Sequence, residues 1–275
     1  MIRLRYFITV LAISLVGLGV VAADEPRNLL IESARGSLPI IVAAPHGGLD
    51  DIPGLAPRVD VTAERFVTGV DANTAELARR LVHEIRRELH GEPYFVIATF
   101  RRRYIDVNRS PEHAYEDPKA KRYYEAYHDQ LAEYCRQVQN KFGGGLFIDV
   151  HGQAVEVDKL LVGTVGGETC KLLRQRRGDS ALVGRDGLLG CLNMIGFVTA
   201  PEIDAKVLEL PRYNGGYTVQ TYGSHRSPGI DAVQFEYGTN YRKPERLDDS
   251  ARRTAAAVAK FYRLHLSRTQ TAPGE

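Results

Sequence analysis

Apolar residues along this chain fall into two kinds of run: short β-branched blocks bounded by glycine or proline, and longer stretches with apolar positions every three or four residues. The first kind reads as buried strand and the second as amphipathic helix. Strand blocks lie at 40–44, 94–100, 146–150, 159–164 and 233–237, with a short extended piece at 104–107. Helical spacing covers 73–89, where Leu77, Leu81 and Ile85 share a face, and 119–142 through Tyr123, Tyr127, Leu131, Tyr134 and Val138. A closing helix spans 248–267, and Asp71 or Asn73 is placed to cap the first helix. Residues 28–37 read as an extended lead-in, and 181–195 as a helix within a glycine- and arginine-rich stretch. Strands alternating with helices predict a single α/β domain with a mixed, mostly parallel sheet flanked by helices.

Hydropathy changes character at the N-terminus. Met1-Ile2-Arg3-Leu4-Arg5 is basic, 6–21 is almost wholly apolar, and Ala22-Ala23 then meets Asp24-Glu25-Pro26. That is the pattern of a secretory signal peptide cleaved near Ala22 or Ala23, with an uncleaved anchor as the alternative. The expected layout is a signal peptide at 1–23, one folded domain at 24–267, and a disordered tail at 268–275. No second apolar span follows, so the reading is an exported protein, periplasmic or secreted, without membrane contact beyond the leader.

Composition narrows the partners. With 275 residues the chain can bury a sizeable core, and a formal net charge of +2 gives no basic face for nucleic acid. The arginine clusters at 101–103 and 174–177 are short and lack interleaved aromatics. Of three cysteines, Cys170 and Cys191 flank one loop-rich stretch and could pair, while Cys135 falls on a helix; three buried thiols is the other reading.

Two histidines carry the chemistry. His46 follows an apolar block in Ala44-Pro45-His46-Gly47-Gly48, and His151 follows another in Asp149-Val150-His151-Gly152. Both are expected at strand ends, where open α/β sheets bind ligands, with the following glycine leaving room for a metal or substrate. Imidazole nitrogen suits zinc, and a third ligand should be a carboxylate: Asp71 is the choice, with Glu64 and Glu76 as rivals. Asp149, two residues before His151, shares its face of the strand; it either accepts a hydrogen bond from a ligand imidazole or bonds local backbone. Asp106-Val107-Asn108-Arg109 presents an amide beside a guanidinium, a pair suited to a substrate carboxylate, and Arg103 lies close enough to polarise a carbonyl; the other reading of either arginine is a surface salt-bridge partner. Glu236 interrupts an apolar strand, where a carboxylate is costly unless paired, protonated or working, and reads as a general base, with an outward-facing glutamate on an edge strand as the alternative. A glycine- and tyrosine-rich loop, 213–225, could close over substrate, with His225 as a polar contact. His83, His90 and His128 fall on helices and read as solvated.

The order of these motifs resembles the N-formylglutamate amidohydrolase family. The matching pieces are Pro45-His46-Gly47-Gly48 with Ile52-Pro53, Asp71 before its helix, Asp106-Val107-Asn108-Arg109, and Asp149-Val150-His151-Gly152. Asn214-Gly215-Gly216-Tyr217 and the strand ending at Glu236 complete the set. The resemblance implies a zinc-carboxypeptidase-like (phosphorylase/hydrolase-like) fold and one zinc ion held by His46, Asp71 and His151. It also implies Glu236 as general base and Asn108-Arg109 as a carboxylate clamp. After Glu236 the chain reads Tyr237-Gly238-Thr239-Asn240-Tyr241-Arg242, where members that degrade histidine carry an Asn-Arg pair almost at once. That departure and the leader point to an exported amidohydrolase acting on some other small carboxylate-bearing amide or peptide. The alternatives are an envelope peptidase or amidase on cell-wall or γ-glutamyl peptides, and a non-catalytic binder of acidic ligands.

Overall fold

The computed structural model describes residues 29–60, 66–203 and 209–267. The signal peptide and tail expected from the sequence, and Glu64, lie outside them. Strands are β1 (Ile31–Ala34), β2 (Ile40–Ala44), β3 (Tyr94–Ala98), β4 (Leu146–Gln153), β5 (Leu160–Gly163), β6 (Thr199–Ala200) and β7 (Asp231–Gly238). Helices are α1 (Thr74–Leu89), α2 (Pro111–Ala114), α3 (Lys121–Phe142), α4 (Lys171–Arg177), α5 (Ser180–Val183), α6 (Leu188–Met194), α7 (Tyr217–Tyr222) and α8 (Leu247–Phe261). The strands form one mixed sheet in the order β1-β3-β2-β4-β7-β5-β6. Its centre, β3-β2-β4-β7, is parallel, while β1 and β5 run antiparallel to their inner neighbours. This is a single α/β domain of the expected class.

Period-two alternation divides the core between the two faces of the sheet. Ile40, Val42, Ile148, Val150, Val233 and Phe235 pack with α1, α6 and α8 on one side. Ile41, Ala43, Phe147 and Ala232 pack with α3 and α7 on the other. Asp149, His151, Gln234 and Glu236 are in phase with that second set, so the polar groups project toward α3 and α7. Because β2, β4 and β7 are parallel neighbours, the C-terminal ends of all three meet at one edge, where open sheets form their ligand crevice.

Several expectations shift in detail. Residues 104–107 are turns rather than strand, because this stretch wraps inward around a buried Asp106 instead of pairing with the sheet. The helix expected over 181–195 is two short ones, α5 and α6, separated by Gly184 to Gly187. Cys135, Cys170 and Cys191 are buried free thiols, so the Cys170–Cys191 pairing does not form. No helix among the described residues is long and apolar enough to cross a membrane.

His83 and His90 are exposed, but His128 is not solvated. It is largely enclosed by the rings of Tyr124, Tyr127, Tyr217 and Tyr222. Its Nε2–H donates to the Val107 carbonyl at 2.9 Å, leaving Nδ1 to face the Tyr222 hydroxyl at 2.8 Å. Burial pushes its pKa down to about 4. The unfolded chain therefore takes up a proton near pH 6.5 that the folded protein refuses until about 4. Stability from this residue is complete above pH 6.5 and is lost as pH falls from there toward 4. Between pH 7.5 and 5 the loss should be about 2 kcal/mol, and His128→Gln, which cannot titrate, should remove it. Urea denaturation of both proteins at the two pH values checks this; an equal pH dependence would refute the assignment.

Candidate metal centre

His46 stands two residues beyond β2, and the backbone at that point is drawn tightly against α1. A Cβ on Gly47 would lie 2.1 Å from the Ala75 nitrogen, so only glycine allows the approach. The His46 carbonyl accepts from the Asp71 N–H at 3.0 Å, bringing the α1 lead-in beside the β2 end. Neither Asp71 nor Asn73 caps α1 with its side chain. Asn73 instead donates to the Arg242 carbonyl, and Asp71 Oδ2 accepts from the Gly152 N–H at 3.1 Å. His151 lies inside β4 rather than past its end, in direct register with Glu236 of β7. The glycines that follow the histidines thus make room for protein: Gly47 for α1 and Gly152 for the Arg242 guanidinium.

These three elements bring His46, Asp71 and His151 together, with one potential ligand atom from each within 4.8 Å of the others. Both imidazoles turn Nδ1 toward the same oxygen, Asp71 Oδ2, at 3.5 Å from His46 and 3.3 Å from His151. Both hand Nε2 to a buried carboxylate: Asp106 at 2.7 Å and Asp149 at 3.0 Å. A carboxylate behind each imidazole fixes the tautomer that leaves Nδ1 as a lone-pair donor, the arrangement found behind metal-bound histidines. His46 Nδ1 is buried and has no hydrogen-bond partner among the described residues. A buried polar atom left in that state calls for an explanation, and a cation between two nitrogens and a carboxylate supplies one. The residues present fit a metal of the zinc type.

The groups of the cluster are also coupled electrostatically. Burial works against ionising Asp71, but the two imidazoles facing it hold its carboxyl well below the ordinary range. Burial likewise opposes the charged Asp106, and His46 with Arg102 overcomes it. For His151 burial opposes protonation, yet Asp149 and Asp71 raise its proton affinity well above that of an ordinary histidine. Glu236 is 7 % exposed, and burial pushes its carboxyl up to about 7. One of its oxygens accepts from Gln234 Nε2 at 2.9 Å, while the Gln234 oxygen holds the Gly216 N–H at 2.6 Å.

Other expected site residues are placed differently. Arg103 points to the surface, where it bonds Asp51 and the Tyr104 hydroxyl. The arginine that reaches the centre is Arg102, paired through Nε and Nη2 with Asp106 Oδ2 and 3.7 Å from Asp71 through Nη1. Asn108 does not form a fork with Arg109. Its amide oxygen accepts from the N–H of Thr218, bracing the start of α7, and its Nδ2 lies 3.4 Å from His151 Nε2. Arg109 donates to the Asn108 carbonyl, lies 4.0 Å from Asp106, and keeps a quarter of its side chain exposed. His225 is at the opposite end of β7, in the turn where Gly223 pairs with Ile230, and does not meet the cluster. Glu76 pairs with Arg79 and Arg80 on the outer side of α1.

Asp149 accepts from His151 and from the Thr218 hydroxyl, which is the imidazole-supporting placement of the two weighed for it. Asp106 backs His46 from within a motif whose amide and guanidinium drew the reading. Its signal was present, since an acid between Ile105 and Val107 is the same interruption of apolar sequence that singles out Glu236. Arg102 and Arg242 carried no comparable mark.

No family model matches the sequence, and no curated protein does. Solved structures do match the fold. The N-formylglutamate amidohydrolase from Ralstonia eutropha JMP134 superposes with a TM-score of 0.58 at 16 % identity, over 86 % of this chain and 99 % of that one. The chain shares that enzyme's fold. A protein from Agrobacterium tumefaciens gives a TM-score of 0.49 at 14 % identity, over 87 % of this chain and 93 % of its own. A bacteriophage poly-gamma-glutamate hydrolase gives 0.41 at 17 %, over 86 % and 90 %. At these identities the likeness to the N-formylglutamate amidohydrolase is one of architecture, and the chemistry rests on the cluster itself.

Proposed function

We propose that this protein is an exported zinc-dependent amidohydrolase that cleaves a carbon–nitrogen amide bond in a small carboxylate-bearing substrate. The observation that carries the reading is the pair of imidazoles turned onto Asp71, each backed by its own carboxylate, with Glu236 in register beside His151. Export is supported by the sequence of residues 1–23 alone.

His46, Asp71 and His151 would hold the ion. When bound, zinc supplies a Lewis acid that polarises a substrate carbonyl and acidifies water. Glu236, with a carboxyl tuned to about 7, takes a proton from the attacking water near neutral pH and passes it to the leaving nitrogen. Gln234 keeps one Glu236 oxygen in place and, through Gly216, ties the base to the loop ahead of α7. Arg102 holds Asp106 against His46, which in turn sets the His46 tautomer. Arg109, at the partly open margin of the same network, is the cation placed to meet a substrate carboxylate.

The test is metal content and hydrolysis measured together on protein starting at Asp24. The substrates are N-formyl- and N-acetyl-amino acids and γ-glutamyl peptides, each with and without chelator. One zinc per chain and chelator-sensitive release of an amino acid or formate are expected. Metal-free protein that binds the same compounds without turnover would replace the enzyme with a binder of acidic ligands.

A further inference from the structure

Arg242 closes the short 3-10 turn after β7 and is 8 % exposed. Its guanidinium donates to three backbone carbonyls: Tyr237 through Nε at 2.9 Å, Gln153 through Nη2 at 3.1 Å and Ala72 through Nη1 at 2.5 Å. Each acceptor stands beside a residue of the centre. Tyr237 follows Glu236, Ala72 follows Asp71, and Gln153 is two residues past His151. The connection is reciprocal, since Asn73 Nδ2 donates to the Arg242 carbonyl at 2.7 Å. The guanidinium packs on Gly152, where an added Cβ would lie 2.4 Å from Cζ.

One loop and two strand ends converging on one planar cation is more than packing requires. Burying a charge against neutral carbonyls is expensive, and an apolar side chain of similar size would fill the space at lower cost. What the guanidinium provides is geometry: a rigid fork of five N–H donors that reaches diverging acceptors simultaneously, which a lysine ammonium cannot do. Its charge has compensation nearby. Burial lowers the proton affinity of Arg242, while Asp71 and Glu236 raise it, so the cation also offsets two carboxylates of the centre. Arg102 plays a different part, gripping Asp106 directly.

We propose that Arg242 is a positioning residue of the metal centre, locking the segments that carry Asp71, His151 and Glu236 at the spacing metal capture requires. The inference rests on the zinc reading above. Without the fork, the Asp71 loop and the ends of β4 and β7 are free to drift by fractions of an ångström. Metal affinity and the chemical step then suffer together, while the contacts that recognise substrate do not.

The experiment is competition for zinc against a chromophoric chelator in the wild type, Arg242→Lys, Arg242→Met and Gly152→Ala, alongside thermal melts of each metal-free protein. Zinc affinity should fall roughly 10- to 100-fold in all three variants, the range for losing a group that orients ligands. The metal-free melts should remain cooperative, and kcat should fall with KM near wild type. Lysine keeps the charge without the fork, so wild-type affinity in Arg242→Lys would overturn the proposal, as would wild-type affinity in folded Arg242→Met. Should Arg242→Met fail to fold, Gly152→Ala decides, because its methyl displaces the guanidinium while the residue 152 N–H to Asp71 survives. Weakened zinc binding there supports the proposal and unchanged binding overturns it. A wild type that takes up no zinc overturns the metal reading along with this one, whereas zinc held equally by wild type and variants overturns this inference alone.

Discussion

Glu236→Gln should fold, take up zinc as the wild type does, and lose turnover by roughly a hundred- to ten-thousand-fold, the range associated with removing a general base. Glutamine preserves the side-chain shape and the oxygen that accepts from Gln234, so the lining of the centre is retained and only the titrating group is gone. Stability of the metal-free protein supplies a second readout. Burial pushes the Glu236 carboxyl up to about 7, against an ordinary value of 4.5. The folded protein therefore keeps a proton at this position that the unfolded chain releases. Its contribution is intact below pH 4.5 and is lost as pH rises through about 7, a loss of roughly 3 kcal/mol by pH 8. Glutamine escapes that loss. The metal-free variant should be more stable than wild type at pH 8 and no more stable at pH 4, by urea denaturation. Undiminished hydrolysis removes Glu236 as the base, and a variant less stable at pH 8 removes the account of its burial.

His46→Ala should lose zinc almost completely, and Asp106→Asn should lose it only in part. Alanine deletes one of three donors outright. Its effect should therefore exceed the roughly 100-fold ceiling expected when a group behind a ligand is lost, while Asp106→Asn should fall within the 10- to 100-fold range below it. The fold has reason to survive His46→Ala, because Asp106 keeps its paired contact with Arg102 and the Asn108 N–H and is not left as an unpaired buried charge. Zinc per chain by mass spectrometry of the purified proteins, followed by chelator competition, ranks the two. Normal zinc content in His46→Ala would end the ligand assignment. Equal losses in the two variants would mean that Asp106 does more than orient His46.

The parts of the site legible in the sequence are those whose environment is set locally. A β-branched block predicts a buried strand, so His46 and His151 could be placed near the crevice from a few neighbours each. Asp71 was marked by the helix it precedes, and Glu236 by being an acid in an apolar strand. What was not legible depends on tertiary partners. Arg101, Arg102 and Arg103 are adjacent in a turn without periodicity, and Arg102 is the one turned inward by a carboxylate four residues on, Asp106. The sequence points Asn108 at substrate, but Thr218, far away in sequence, claims its oxygen. His225 is near Glu236 in sequence yet far from it in space. The chain re-enters β7 at Asp231, and five strand residues carry it roughly 17 Å to Glu236. The three linked carbonyls of Arg242 belong to backbone, which no side-chain pattern reports.

The strand order has a consequence for how the molecule comes into being. The crevice sits where β2, β4 and β7 lie side by side, yet the residues that furnish it are spread from His46 to Arg242 along the chain. A growing polypeptide that has made only its first half owns His46 and Asp71 but neither His151 nor the latch that fixes them, so it cannot trap an ion prematurely. On the zinc reading, occupancy would be gained last, after the non-local pairing of β4 with β7, the slow kind of contact to form. An ion that recognises only the finished sheet favours it by mass action. On the zinc reading, survival of the protein against proteases should then follow the free zinc of its surroundings, and the centre would be a seal on completed folding as well as a place for chemistry.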